Sequence, residues 1–149
     1  MPVPAPSASD ETAATEAWTR LWRAGALHSC GCAFRGNYEG ATAGFWRGQF
    51  AAPGDGARVA DLGTGNGAIL LLAREVAAAR GVRFTLDGVD LADIDPAGLP
   101  GAAGRYAGIR FHPRTSMARL PFADGSVDMV CGQYALEYAP FAATSAEIT

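Results

Sequence analysis

Val59-Ala60-Asp61-Leu62-Gly63-Thr64-Gly65-Asn66-Gly67 reads as a short strand, a glycine-rich turn and the start of a helix running to about Arg80. Glycines at alternate positions let the backbone turn sharply, take up positive φ and come close to a ligand. The helix N-terminus beyond them offers unpaired N–H groups and partial positive charge. A turn of this kind accompanies a nucleotide-like ligand, and its neighbours indicate which.

Two patterns overlap here. Gly63, Gly65 and Ala68 fit the dinucleotide pattern G-x-G-x-x-G/A, which seats a pyrophosphate on the helix N-terminus. Asp61 with Gly63, Gly65 and Gly67 instead gives D-x-G-x-G-x-G. A fixed carboxylate beside the turn, at the end of a buried strand, repels a pyrophosphate and favours a ligand carrying an ammonium or a sulfonium. S-adenosyl-L-methionine carries both. An NAD(P)-dependent oxidoreductase fragment and a non-catalytic interaction protein stand as the alternatives.

VADLGTGNG resembles the first motif of the class I S-adenosylmethionine-dependent methyltransferases, and Leu120-Pro121-Phe122-Ala123-Asp124-Gly125-Ser126-Val127-Asp128-Met129-Val130 resembles their fourth-strand signature. The resemblance runs from about Arg58 to the C-terminus. It implies an α/β fold, a Rossmann-like doubly wound parallel sheet with the order 3-2-1-4, preceded by a helical cap. In that family three more strands and their helices follow, so the expectation is a chain truncated in the helix after the fourth strand, with an open apolar edge. A missing C-terminal half or a partner chain would then complete it. By the same resemblance the cofactor contacts fall to Asp61, Gly63, Thr64, Gly65 and Gly67 in the turn, Asp90 and Leu91 after the second strand, Ser116 and Met117 after the third, and Gln133 after the fourth. Many relatives carry an acidic residue for the adenine amino group where this chain has Ser116, whose hydroxyl, or the Met117 backbone N–H, takes over the contact. Gln133-Tyr134-Ala135-Leu136 is not the N-P-P-Y type of motif that amino-methylating relatives use on adenine or glutamine amides, so those substrates are set aside.

Asp90 is also legible from spacing alone. A carboxylate at the end of the next strand, roughly twenty residues past the glycines, is placed to accept from ribose hydroxyls. That suits adenosylmethionine and NAD equally. Asp87 lies inside the strand and is the poorer candidate.

With 149 residues, 49% of them hydrophobic and a net charge of −3, the sequence suits one globular domain with a real core. No basic run suggests a nucleic-acid face or an anionic-membrane patch, and no apolar run reaches bilayer length. The expected partner is a small-molecule methyl acceptor in a cytoplasmic setting. All twelve basic residues are arginine. Lysine Schiff-base chemistry and the Walker-A lysine are therefore excluded within this chain. The three cysteines, Cys30, Cys32 and Cys131, are too few for a disulfide scaffold. His28, Cys30 and Cys32 lack a fourth ligand and zinc-like spacing, so no metal is expected.

The chain divides into a tail (1–9), a helical cap (10–52) and the partial Rossmann-like domain (53–149). Ser7 and Asp10 have capping-box spacing before a helix that ends near Ala24. Trp18 and Trp22 on that helix either pack on the body or form a lid over the cleft. A second helix spans Tyr38–Ala51, and its Tyr38 and Trp46 are either pocket walls or core aromatics. Strands follow at Phe84–Asp90, Ile109–His112 and Val127–Gly132, the last apolar enough to be buried on both faces. Residues 92–107 hold too much proline and glycine for more than a short or broken helix; Asp93 and Asp95 there read as caps or solvated turn residues. Asp128 reads as structural and Cys131 as an inert core thiol. No catalytic base is named; His28, Glu137 and Tyr138 are the groups able to serve.

Overall fold

The computed structural model describes residues 8–31, 33 and 36–149, with side chains from residue 11 onward. The chain runs α1 (Ala8–Arg23), α2 (Gly40–Gln49), β1 (Arg58–Leu62), α3 (Ala68–Arg80), β2 (Thr85–Val89), β3 (Ile109–His112), β4 (Met129–Cys131) and α4 (Phe141–Glu147). The Ser7–Asp10 capping box lies outside the described residues. Between β2 and β3 a single 3-10 turn at Pro96–Gly98 is all the helix that proline and glycine leave; Asp95 caps it, accepting from the Gly98 N–H.

The strands are parallel in the order β3-β2-β1-β4. Register puts Val59, Asp61, Leu86, Gly88, Phe111 and Cys131 on one face and Ala60, Leu62, Asp87, Val89 and His112 on the other. The first face receives α3, whose Ile69, Leu70, Leu72 and Ala73 join Val59, Leu86 and Phe50 in the main core. Helix α3 ends at Gly81, whose φ of 69° lets its own N–H and that of Val82 close on the Ala78 and Ala77 carbonyls.

On the opposite face Asp87 is fully buried and collects Arg58 at 2.9 Å, Arg110 at 3.0 Å and His112 at 2.8 Å. Phe122, from the connection into β4, stands 4.5 Å from the Arg58 guanidinium and edge-on to His112. These partners hold the Asp87 carboxyl below its ordinary range against the opposing pull of burial. Asp128 accepts from the Arg58 N–H at 2.8 Å, the structural role expected of it.

Strand β4 departs from expectation. It is three residues long, and Met129 and Val130 are half-buried rather than buried. Among the described residues it pairs only with β1, and an edge strand has one flank without a neighbour to cover it. Asp93 also departs: it forms ion pairs with Arg23 of α1 and, at 2.7 Å, with Arg114, so it ties α1 to the sheet end.

Candidate functional site

The carboxyl ends of β1 and β2 bring two buried aspartates together. Asp61 is 2% exposed, and the Cys131 thiol donates to its Oδ1 at 3.6 Å from the adjacent strand. Among the described residues no cation pairs with it. Burial pushes its pKa up to about 7, with Thr64 and Cys131 working against that rise and nearby Asp90 adding to it. The fixed charge that the sequence suggested is thus opposed by burial, which favours the protonated carboxyl in the chain alone. Cys131 is the buried thiol expected, and burial with the Asp61 charge raises its pKa further.

Asp90 faces inward on the glycine turn. Its Oδ2 accepts from the Gly65 N–H at 2.8 Å and its Oδ1 from the Ala92 N–H at 2.9 Å. Each carboxylate oxygen keeps a further acceptor site. The Thr64 N–H bonds the Val89 carbonyl at 3.0 Å and the Gly67 N–H bonds the Thr64 carbonyl at 2.9 Å. Three turn N–H groups that a pyrophosphate would need are thus committed within the protein.

Two of the glycines serve packing as well. A Cβ on Gly65 would come 2.7 Å from the Trp22 indole, and one on Gly67 would come 2.9 Å from Phe111. Between them Asn66, 1% exposed, donates to the carbonyls of Trp22 at 2.8 Å and Ala26 at 2.7 Å. Sequence reasoning passed over Asn66; an asparagine between two turn glycines was the available signal.

A cavity of about 760 Å³ opens beside these groups, within the range of roughly 300–1,000 Å³ usual for ligand pockets. Asp61, Gly63, Thr64, Asp90, Leu91, Ser116, Met117 and Gln133 line it, whereas Gly65 and Gly67 face protein instead. Gln133 is fixed by Trp46, whose indole N–H donates to its Oε1 at 2.6 Å. Next to it Tyr134 holds a positive φ of 54°, an uncommon conformation for a bulky residue. Ser116 lies on the wall with its Oγ accepting from the Ala118 N–H.

The alternatives for the cap aromatics are not exclusive. Trp22 packs with Ala92 and Ile94 and also lines the cavity, and Trp18 stacks on it, meets Tyr138 edge-on and lines the cavity too. Tyr38 likewise both lines the cavity and joins the main core, to which Trp46 also belongs. His28, 4% exposed, stacks on Tyr38 at 4.5 Å and also lines the cavity. Its Nε2 lies 2.9 Å from the Gly36 carbonyl, which assigns the ring proton to that nitrogen. No group of three metal-ligating side chains exists among the described residues, and Cys32 lies outside them. No described helix is long and apolar enough to cross a membrane.

Parallel strands in the order β3-β2-β1-β4, a glycine turn after β1 and acidic residues at the ends of β1 and β2 define a Rossmann-like α/β fold. Solved structures agree. A geranyl diphosphate methyltransferase in complex with GPP and sinefungin is similar with a TM-score of 0.57 and 22% identity, over 72% of this chain and 39% of that one. A protein from Methanococcus maripaludis assigned to the S-adenosyl-L-methionine-dependent methyltransferases is similar with a TM-score of 0.55 and 13% identity, over 99% of this chain and 61% of that one. At these identities the likeness is one of fold, and this chain spans about two-fifths and three-fifths of the two structures' lengths. No family model and no curated protein matches the chain.

Proposed function

We propose that the cavity binds S-adenosyl-L-methionine and that the chain serves a methyltransferase acting on a small-molecule acceptor. The observation that carries this reading is Asp61, a buried carboxylate lining a ligand-sized cavity with no cationic partner among the described residues. Such a group costs stability when ionised, and a cationic ligand removes that cost. The committed N–H groups of the glycine turn speak against the dinucleotide alternative.

When bound, the cofactor supplies an electrophilic methyl group on a sulfonium. Asp61 would face its cationic amino-acid end, beside Gly63 and Thr64. The open acceptor sites of Asp90 would take ribose hydroxyls. Leu91 and Met117 offer apolar contact to an adenine, with Ser116 as the polar group at its edge. Gly65 and Gly67 act indirectly, by letting Trp22 and Phe111 hold the turn in shape. Trp18 and Tyr138 would limit water, so that alignment and exclusion of solvent supply the catalysis. The neighbour complexed with GPP and sinefungin supports both the cofactor and a small-molecule acceptor.

Calorimetry with adenosylmethionine, adenosylhomocysteine and NAD(H) tests the reading. Saturable binding of the first two, lost in Asp61→Ala, is expected. Tight NAD(H) binding without a response to adenosylhomocysteine would overturn it.

A further inference from the structure

We propose that the part of the cavity walled by α1 and residues 134–140 takes a small aromatic or apolar amine, captured as its ammonium, as the methyl acceptor. Its role as acceptor rests on the cofactor reading above; its charge preference does not.

The first argument is the charge of the wall. Glu11, Asp61, Asp90 and Glu137 all line the cavity. The chain's only strong cations are its twelve arginines, and among the described lining residues there is none. An anionic acceptor would lie among carboxylates without a counter-charge, at a cost that grows as water is excluded. An ammonium would find the opposite field.

The second argument is the shape and chemistry of the mouth. Glu11 and Trp18 stand two turns apart on one stripe of α1. Across from them the Tyr138 ring lies 5.6 Å from Trp18 at an interplanar angle of 73°, and Trp22 backs Trp18 at 5.7 Å. Aromatic faces attract an ammonium and equally pack an apolar body. Glu137, beside Tyr138, puts a carboxylate on the same rim. An apolar acceptor without charge would use the rings but leave both glutamates without a role. The captured ammonium gives one N–H proton to solvent outside the Trp18–Tyr138 pair; its nitrogen lone pair would then bond to the cofactor's methyl carbon as the methyl–sulfur bond breaks, with adenosylhomocysteine as the leaving group.

The test uses three probes of matched size: 2-phenylethylamine, 2-phenylethanol and 3-phenylpropionate. Each is titrated calorimetrically into the full chain, with and without saturating adenosylhomocysteine. The amine should bind at least about tenfold tighter than the carboxylate, with the alcohol between them. Glu11→Gln combined with Glu137→Gln should shrink the amine-to-carboxylate ratio several-fold and leave alcohol binding within about twofold, since exposed charges act mainly through their sign. Thermal melts of the double variant check that it folds. If adenosylhomocysteine binds but the amine binds no tighter than the carboxylate, the inference is overturned and the cofactor reading stands. If the amine preference persists while adenosylhomocysteine fails to bind, the cofactor reading falls and the cavity remains a cation site.

Discussion

The Asn66 carboxamide donates to the Trp22 carbonyl at 2.8 Å, so the centre of the glycine turn holds the end of α1 in place. The same nitrogen reaches the Ala26 carbonyl at 2.7 Å. A ligand turn and its covering helix are thereby one structural unit.

Asn66→Ala removes the side-chain donor of the Ala26 carbonyl and leaves the Trp22 carbonyl with the Gly25 N–H alone. We expect a loss of about 2–4 kcal/mol in urea unfolding. Limited proteolysis should also cut faster around residues 24–30, because the tether of α1 is gone. Unchanged stability and unchanged cleavage would mean that the cap is held by its apolar contacts alone.

Gly65 combines a φ of 51° with the Trp22 indole where its Cβ would be. Gly65→Ala should cost about 2 kcal/mol or more, from backbone strain and displacement of the ring. In a Trp22→Ala background the added cost should fall to the backbone part. A double-mutant cycle reads this directly, and strict additivity would show that the ring yields without cost.

Asp61 makes pH a probe of the site. Its pKa in the fold, about 7, exceeds the ordinary carboxylate value of 3.8. A raised carboxyl favours folding fully below the lower value, and that contribution is lost as pH rises through the higher one. Stability of the chain alone should therefore decline between about pH 4 and 8, and Asp61→Asn should flatten this decline. Affinity for adenosylmethionine should rise with pH by up to about tenfold per unit below pH 7, because the carboxyl must first ionise. A pH-independent affinity for the wild type would contradict the role given to Asp61.

Asp87 acts in the opposite direction. Its carboxyl is held below the ordinary range by Arg58, His112 and Arg110, so its contribution is present above the unfolded value near 3.8 and is lost as pH falls. Together the two aspartates should put maximum stability of the chain alone near pH 4, as thermal melts across pH would show. Asp87→Ala should cost about 1–3 kcal/mol, the arginines being partly solvated, and should leave ligand affinity largely unchanged. An equal loss of ligand affinity would tie this cluster to the site.

Much of the site was legible because its spacing is local. The alternation of Asp61 with Gly63, Gly65 and Gly67 lies within seven consecutive residues, and the strand that carries Asp90 begins one helix later. Period and turn chemistry also gave β3 to the residue, and the failure of helix between 92 and 107. What spacing could not convey was the partner of each group. Trp18 and Trp22 belong to the same helix and both line the cavity, yet only Trp22 also packs on the Gly65 turn, a difference set by how α1 is docked.

The sequence by itself determined the order of elements and the acidic residues at the ends of β1 and β2, through hydrophobic period and glycine and proline chemistry along the chain, and the resemblance of its motifs implied the parallel sheet. Only the tertiary structure decided the desolvation of Asp61, which pushes its pKa up, the diversion of the Gly65 N–H to Asp90 and the burial of Asp87 among two arginines and a histidine. Those depend on desolvation and on groups tens of residues apart, which no local pattern encodes.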